Sequence, residues 1–210
     1  MAQRKLPARS VINSLLSRNE DNPQLPAFVR QLPPGDLIRL VDYLGKEDAQ
    51  ALLVHATANQ IAELVETDAW VSRGPGMAER FSPEKFLEWL ELWNDSGAPM
   101  LCRRLKELGS DYFALVLHEY VVVVDSYEVG VEGSADRFDQ YAVIPKNEEV
   151  WPLLFEFMTH VWDEDPEFLD EVLGNCCMRR SLTIEKTHVT HNENLALDVE
   201  AKRDRHRRDR

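Results

Sequence analysis

LPPGDLIRLVDYL, GKEDAQALLVHA and TANQIAELVETDAW follow one another from Leu32 to Trp70, and the three pieces align at a period of twelve residues. Leu37, Ala49 and Ile61 share one column. Leu40, Leu52 and Leu64 share the next, and Val41, Leu53 and Val65 a third. Within each piece the apolar residues stand at i, i+3 and i+4, the spacing of one buried face on an α-helix. A unit this short cannot bury that face alone, so tandem copies must cover one another. The stretch therefore predicts a mainly α fold: a right-handed-type helical repeat, or superhelix, of short amphipathic helices. Pro33-Pro34 suits a first helical turn, where the missing N–H has no intrahelical partner. Thr57 with Gln60 three residues on reads as a capping box, each side chain meeting the other's backbone N–H.

Working outward, Leu6, Val11, Ile12, Leu15 and Leu16 predict a helix over Leu6–Ser17, and Leu25, Phe28, Val29 and Leu32 predict another. Arg73-Gly74-Pro75-Gly76 breaks the pattern. Ser82-Pro83-Glu84 restarts it, with Ser82 as N-cap and Pro83 at the first helical position. Phe86, Trp89, Leu90 and Trp93 then line one face, and a further helix carries Leu101, Leu105 and Leu108. Asp111 to Val122 reads as helix, with β-branched Val121–Val124 passing toward a strand. Asp125–Asp139 reads as a loop. Gln140–Ile144 is β-prone and is expected to pair with Val121–Val129 as one small β-hairpin near 121–145. Glu148–Trp162 predicts a strong helix, and Asp165-Pro166-Glu167 the cap and first turn of the next. The expected organisation is a helical-repeat domain over 1–124, a loop or small hairpin over 125–145, C-terminal helices over 146–200 and a basic tail over 201–210.

The 210 residues are 44% hydrophobic, enough for a real core, and carry a formal net charge of −13. Lys202–Arg210 holds six basic and two acidic residues, a local +4 that leaves −17 on the rest. A body so acidic repels phosphate, so nucleic acid is not its expected partner. Met1–Ser10 is polar with no apolar run behind it, unlike a secretory signal. Ala114–Val124 is the greasiest segment, about half the ~20 residues a membrane span needs. Three cysteines make no disulfide framework. The expectation is a soluble protein of a reducing cytoplasm. Apolar residues fade after Leu197 and no stop signal follows, so Ala201–Arg210 is expected to pack against nothing. The basic tail could dock on an acidic partner, nucleic acid or an anionic membrane, against the plainer reading of a solvated helix end.

Leu6-Pro7-Ala8-Arg9, Leu32-Pro33-Pro34, Ile61–Trp70 with its final Asp68-Ala69-Trp70, and Ser82-Pro83-Glu84-Lys85-Phe86-Leu87-Glu88-Trp89-Leu90 occur in an order and spacing that resemble a bacterial domain-of-unknown-function family, number 6178, from about Leu6 to Arg180. More distantly, the twelve-residue repeat is similar to the helical superhelix of magnesium-transporter intracellular domains and flagellar motor switch proteins. The family resemblance implies no activity and no catalytic residues. Its members are longer, which implies a truncated or domain-sized member here.

Two sets of residues are candidate metal ligands. Cys176 and Cys177 with His188 and His191 offer zinc donors, the imidazoles spaced to share a helix face. Vicinal thiols point different ways, however, zinc motifs usually separate their thiols by two or more residues, and the favoured reading of Cys176 or Cys177 is a small buried hydrophobe near a helix end. Asp163, Asp165 and Glu167 lie in the densest acidic run, but Phe168 stands where a calcium loop needs Gly. A weak Mg²⁺ site or a solvated first helical turn both fit that run. Phe86, Trp89, Trp93 and Trp151 could line a groove, though aromatic residues at helical spacing serve cores. His118-Glu119 lacks the second His of a metalloprotease helix, since Val122 stands there. Gly74-Pro75-Gly76 lacks the Lys and Ser/Thr of a phosphate loop. No catalytic constellation and no cofactor motif emerges. The expected function is a non-catalytic scaffold or interaction module with an unidentified protein partner; the alternative is a metal-responsive (Mg or Zn) regulatory domain.

Overall fold

In the computed structural model, which describes residues 23–72, 79–126, 136–177 and 200–204, the apolar periodicity becomes a series of short helices. They are α1 (Leu25–Gln31), α2 (Pro34–Leu44), α3 (Gln50–Leu53) and α4 (Ala58–Ala69) in the repeat region. All nine residues of the three columns are buried, none more than 4% exposed. The three units are nevertheless unequal. Gly45, at φ 90°, ends α2 in a conformation other residues rarely adopt. The middle piece then makes turns over 46–49 and only a four-residue helix. The Leu6–Ser17 helix lies outside the described residues.

The capping box forms as expected. Gln60 N–H donates to Thr57 Oγ1 at 3.3 Å, and Thr57 N–H to Gln60 Oε1 at 2.8 Å. The amide of Gln60 does more than cap its own helix: Nε2 donates to the Val29 carbonyl at 2.7 Å and the Leu32 carbonyl at 2.8 Å. The Val29 carbonyl, which also accepts from the Leu32 N–H at 3.1 Å, and the Leu32 carbonyl just past α1 thus share a buried donor.

Trp70 leaves α4 in an extended conformation and opens β1 (Trp70–Ser72), which pairs antiparallel with β2 (Glu79–Phe81). The sequence showed only a break here; each strand has three residues, too few for alternation to be read. Ser82 N–H donates to the Ala69 carbonyl at 2.7 Å and closes the excursion. Ser82 then caps α5 (Pro83–Asp95), its hydroxyl accepting from the Lys85 N–H. Helices α6 (Ala98–Leu108) and α7 (Ser110–Tyr120) follow.

α7 runs directly into β3 (Val121–Asp125), at the edge of a three-stranded antiparallel sheet ordered β3-β5-β4. β5 (Tyr141–Pro145) is central, with Val123 opposite Val143 on one side and Arg137 opposite Ala142 on the other. The β3–β5 pair is the expected hairpin partner. The third strand, β4 (Asp136–Phe138), corrects the reading of Asp125–Asp139 as loop throughout. Asp139, at φ 49°, turns the chain from β4 into β5. Helices α8 (Trp151–Glu164) and α9 (Pro166–Cys176) then pack back, α8 on α6 and α9 on α7. One apolar core runs from Leu25 to Cys176. Among the described residues no helix is long and apolar enough to cross a membrane.

Candidate functional site

The β1–β2 hairpin carries an aromatic face and a carboxylate to one spot, and a basic side chain from far along the chain fills it. Residues 200–204 are helical, and Arg203 is their buried member. Its guanidinium carbon lies 4.4 Å from the centroid of the Trp70 ring, and its Nη2 donates to Glu79 Oε2 at 2.6 Å. A planar cation over indole is favourable electrostatically, and a carboxylate at its edge adds a charge-assisted hydrogen bond. Phe81 supports the indole from the side, with ring centroids 5.7 Å apart. Lys202 pairs with Asp111 in the first turn of α7. Past Arg203 the seat opens into a cleft of about 330 Å³, with Glu66, Glu107 and Asp111 among its walls beside Ala62, Leu108 and Tyr112. Arg203 Nε and Trp70 Nε1 are buried with no hydrogen-bond partner among the described residues.

This arrangement corrects the expectation that Ala201–Arg210 packs against nothing. Arg203 is 6% exposed. The expectation rested on missing apolar periodicity, and periodicity is blind to a cation seated on an aromatic ring. Residues 205–210 lie outside the described part of the chain.

A second polar network joins α4 to α5. Asp68 accepts from Trp89 Nε1 at 2.9 Å and meets Lys46 Nζ at 2.5 Å and Lys85 Nζ at 3.4 Å. Lys46 also reaches Glu88 at 2.6 Å and lies 5.0 Å over the Trp89 ring. Burial pushes the Asp68 carboxyl up, but Lys46, Trp89 and Lys85 together outweigh it and hold the group below its ordinary value. Two segments that carried the family resemblance, one ending Asp68-Ala69-Trp70 and one running from Ser82 to Leu90, therefore meet in space.

The metal candidates resolve differently. Asp165 caps α9, its Oδ1 accepting from the Phe168 N–H at 3.0 Å, and it pairs with Lys106. The Lys106 hydrogen bond, with the Phe168 N–H behind it, holds its carboxyl below the usual range. Asp163 and Glu167 are exposed to either side. Cys176 is buried, its thiol donating to the Ala114 carbonyl at 3.5 Å, and burial pushes the thiol up, away from the thiolate that metals bind. Cys177 is half-buried; His188 and His191 lie outside the described residues. Among the described residues no three His, Cys, Asp or Glu side chains come together as a metal site. Phe86, Trp89 and Trp93 are core, and Trp151 packs on Phe155 with centroids 5.6 Å apart.

Sequence reading passed over Arg104, which is fully buried in α6. Its Nη2 donates to the carbonyls of Leu53 at 2.8 Å and Val54 at 3.2 Å, at the end of α3. Its Nη1 donates to Glu107 Oε2 at 2.6 Å. The signal was present: Arg104 stands three residues after Leu101 and next to Leu105, on an apolar face where a charge needs buried acceptors. No equivalent signal marked Arg203.

Helices packed around one core, with two small antiparallel sheets set into their connections, define a mainly α protein. The chain belongs to the family of unknown function DUF6178, which it matches over residues 4–185. Trp70, Glu79 and Asp111 lie within that match. No curated protein and no solved structure matches the chain, so the likeness to magnesium-transporter and flagellar motor switch repeats gains no support.

Proposed function

We propose that this protein is a non-catalytic interaction module of the bacterial cytoplasm, a scaffold or adaptor built on the helical repeat of residues 32–70. The observation that carries the reading is the seat at Trp70 and Glu79. It captures a basic side chain through an indole face and a carboxylate, and it opens into a cleft walled by Glu66, Glu107 and Asp111 together with Lys202. Arginine and tryptophan are enriched among the residues that dominate protein interfaces. The test is affinity capture from the native bacterium with the wild-type chain and with Glu79→Lys. The expected outcome is a stoichiometric partner recovered by the first and lost by the second. Identical recoveries would count against the seat as the interface. Melting with excess Mg²⁺ or Zn²⁺ separates the metal-responsive alternative: a ligand at about 100 times its Kd would add ~2.7 kcal/mol, and the interaction module is expected to show no such gain.

A further inference from the structure

We infer that the slot formed by Trp70, Glu79 and the first turn of α7 is a recognition site for an arginine-bearing segment of a partner protein, which Arg203 fills in cis as a pseudo-ligand. The inference rests on the interaction-module reading and names the partner's chemistry.

Three observations carry it. First, the slot is matched to a guanidinium. Trp70 offers a flat face at 4.4 Å, and Glu79 accepts at the edge at 2.6 Å. Lysine, a compact hydrated point charge, cannot stack flat in that way. Second, the cis occupant holds on by one buried residue. Within residues 200–204 only Arg203 is buried; Ala201, Lys202 and Asp204 are exposed and Glu200 is half-buried. Beside that residue the segment shows the exposed Lys202–Asp111 pair, and so small a contact can leave and return while the body stays folded. Third, the cis fit is incomplete. Arg203 Nε and Trp70 Nε1 both lack a hydrogen-bond partner among the described residues. The cleft beyond, with Glu66 and Tyr112 on its walls, stays open. A partner segment that adds a carbonyl or carboxylate beside its arginine would satisfy donors that the cis occupant leaves bare.

The tethered occupant competes at high effective concentration, so a partner must outbid it, and removing Arg203 opens the site. The experiment uses the full chain, wild type and Arg203→Ala, with a fluorescein-labelled peptide copying residues 198–206 read by anisotropy at low salt. Supporting results are binding to Arg203→Ala at least about tenfold tighter than to wild type, loss of that gain on adding Glu79→Ala, and weaker binding of a peptide carrying Lys in place of Arg203. Equal binding to wild type and Arg203→Ala, or binding to neither, overturns the inference; so does tight binding that ignores Glu79→Ala. If Arg203→Ala fails to fold by circular dichroism, Arg203→Gln takes its place, keeping stem and polarity while removing the cation, with the same two outcomes. A peptide that fails here while the wild-type chain still captures a Glu79-independent partner removes this site and leaves the interaction module standing.

Discussion

Arg104 places a charge where the pattern of α6 calls for an apolar side chain, and the structure shows what the charge is for. Burial pulls the guanidinium below its ordinary value and Glu107 opposes that pull, so the cation stays on. Its Nη2 meets the Leu53 and Val54 carbonyls at the end of α3, adding a buried donor to the Leu53 carbonyl that otherwise accepts, among the described residues, only from the Ala56 N–H. Removing one member of a buried charged pair costs about 3–5 kcal/mol, because the other polar groups are left uncompensated. Arg104→Ala is therefore expected to lower the unfolding free energy by about 3 kcal/mol in urea titration. Asp68 gives a prediction in pH. Its folded value lies below the ordinary 3.8. Between the two values the unfolded chain binds more protons, so stability rises with pH through that window. The contribution is complete above 3.8 and is lost as pH falls through the folded value. Asp68→Asn keeps the shape without the charge. Its deficit against wild type in urea midpoint is expected at pH 6 and should shrink toward pH 2.5; a deficit constant across that range would show that the loss does not come from the Asp68 charge.

Elements test the period of twelve. Leu40, Leu52 and Leu64 are each at most 3% exposed, although they sit on helices of 11, 4 and 12 residues. If burial and not helix length sets the worth of a column, Leu52→Ala should cost as much as its partners, within the 2–5 kcal/mol range of buried Leu→Ala changes. Chemical denaturation of the three variants decides it; a loss under about 0.5 kcal/mol at Leu52 alone would place it with surface changes. What could be read from sequence at this scale was what local rules govern. The Thr57–Gln60 box and the caps at Ser82 and Asp165 each depend on residues three apart, and all three are present. The shortness of α3 was hidden because Gly45 and the turn after it act through backbone conformation, while the apolar columns continue regardless. Strands β1, β2 and β4 were hidden because each is three residues long and held by its pairing partner. The seat for Arg203 joins residues 124 apart, and no window on the sequence spans that distance.

The whole molecule raises the question of how many units unfold. Sequence alone set residues 146–200 apart from 1–124, with a loop or hairpin between. The core, however, runs without a break from Leu25 to Cys176, with α8 laid on α6 and α9 on α7. Leu169 and Leu173 in α9 are fully buried. The sheet also approaches α9 closely: a Cβ on Gly174 would stand 3.1 Å from the Tyr141 hydroxyl. Interfaces made of core side chains on both sides transmit destabilisation, so the described body should unfold as one cooperative unit. Leu169→Ala tests this. It opens a cavity in α9, at a cost of about 2–5 kcal/mol. The reporter sits elsewhere: with Trp151 and Trp162 changed to Phe, emission comes from Trp70, Trp89 and Trp93, on β1 and α5. In that background Leu169→Ala is expected to shift the urea midpoint of tryptophan emission and that of far-ultraviolet circular dichroism together, by the same amount. If α8 and α9 formed a separate unit, the dichroism curve would split and the tryptophan midpoint would stay where it was. Coincident movement means that a side chain in α9 helps to hold the ring on which Arg203 sits, and that the seat is a property of the whole core.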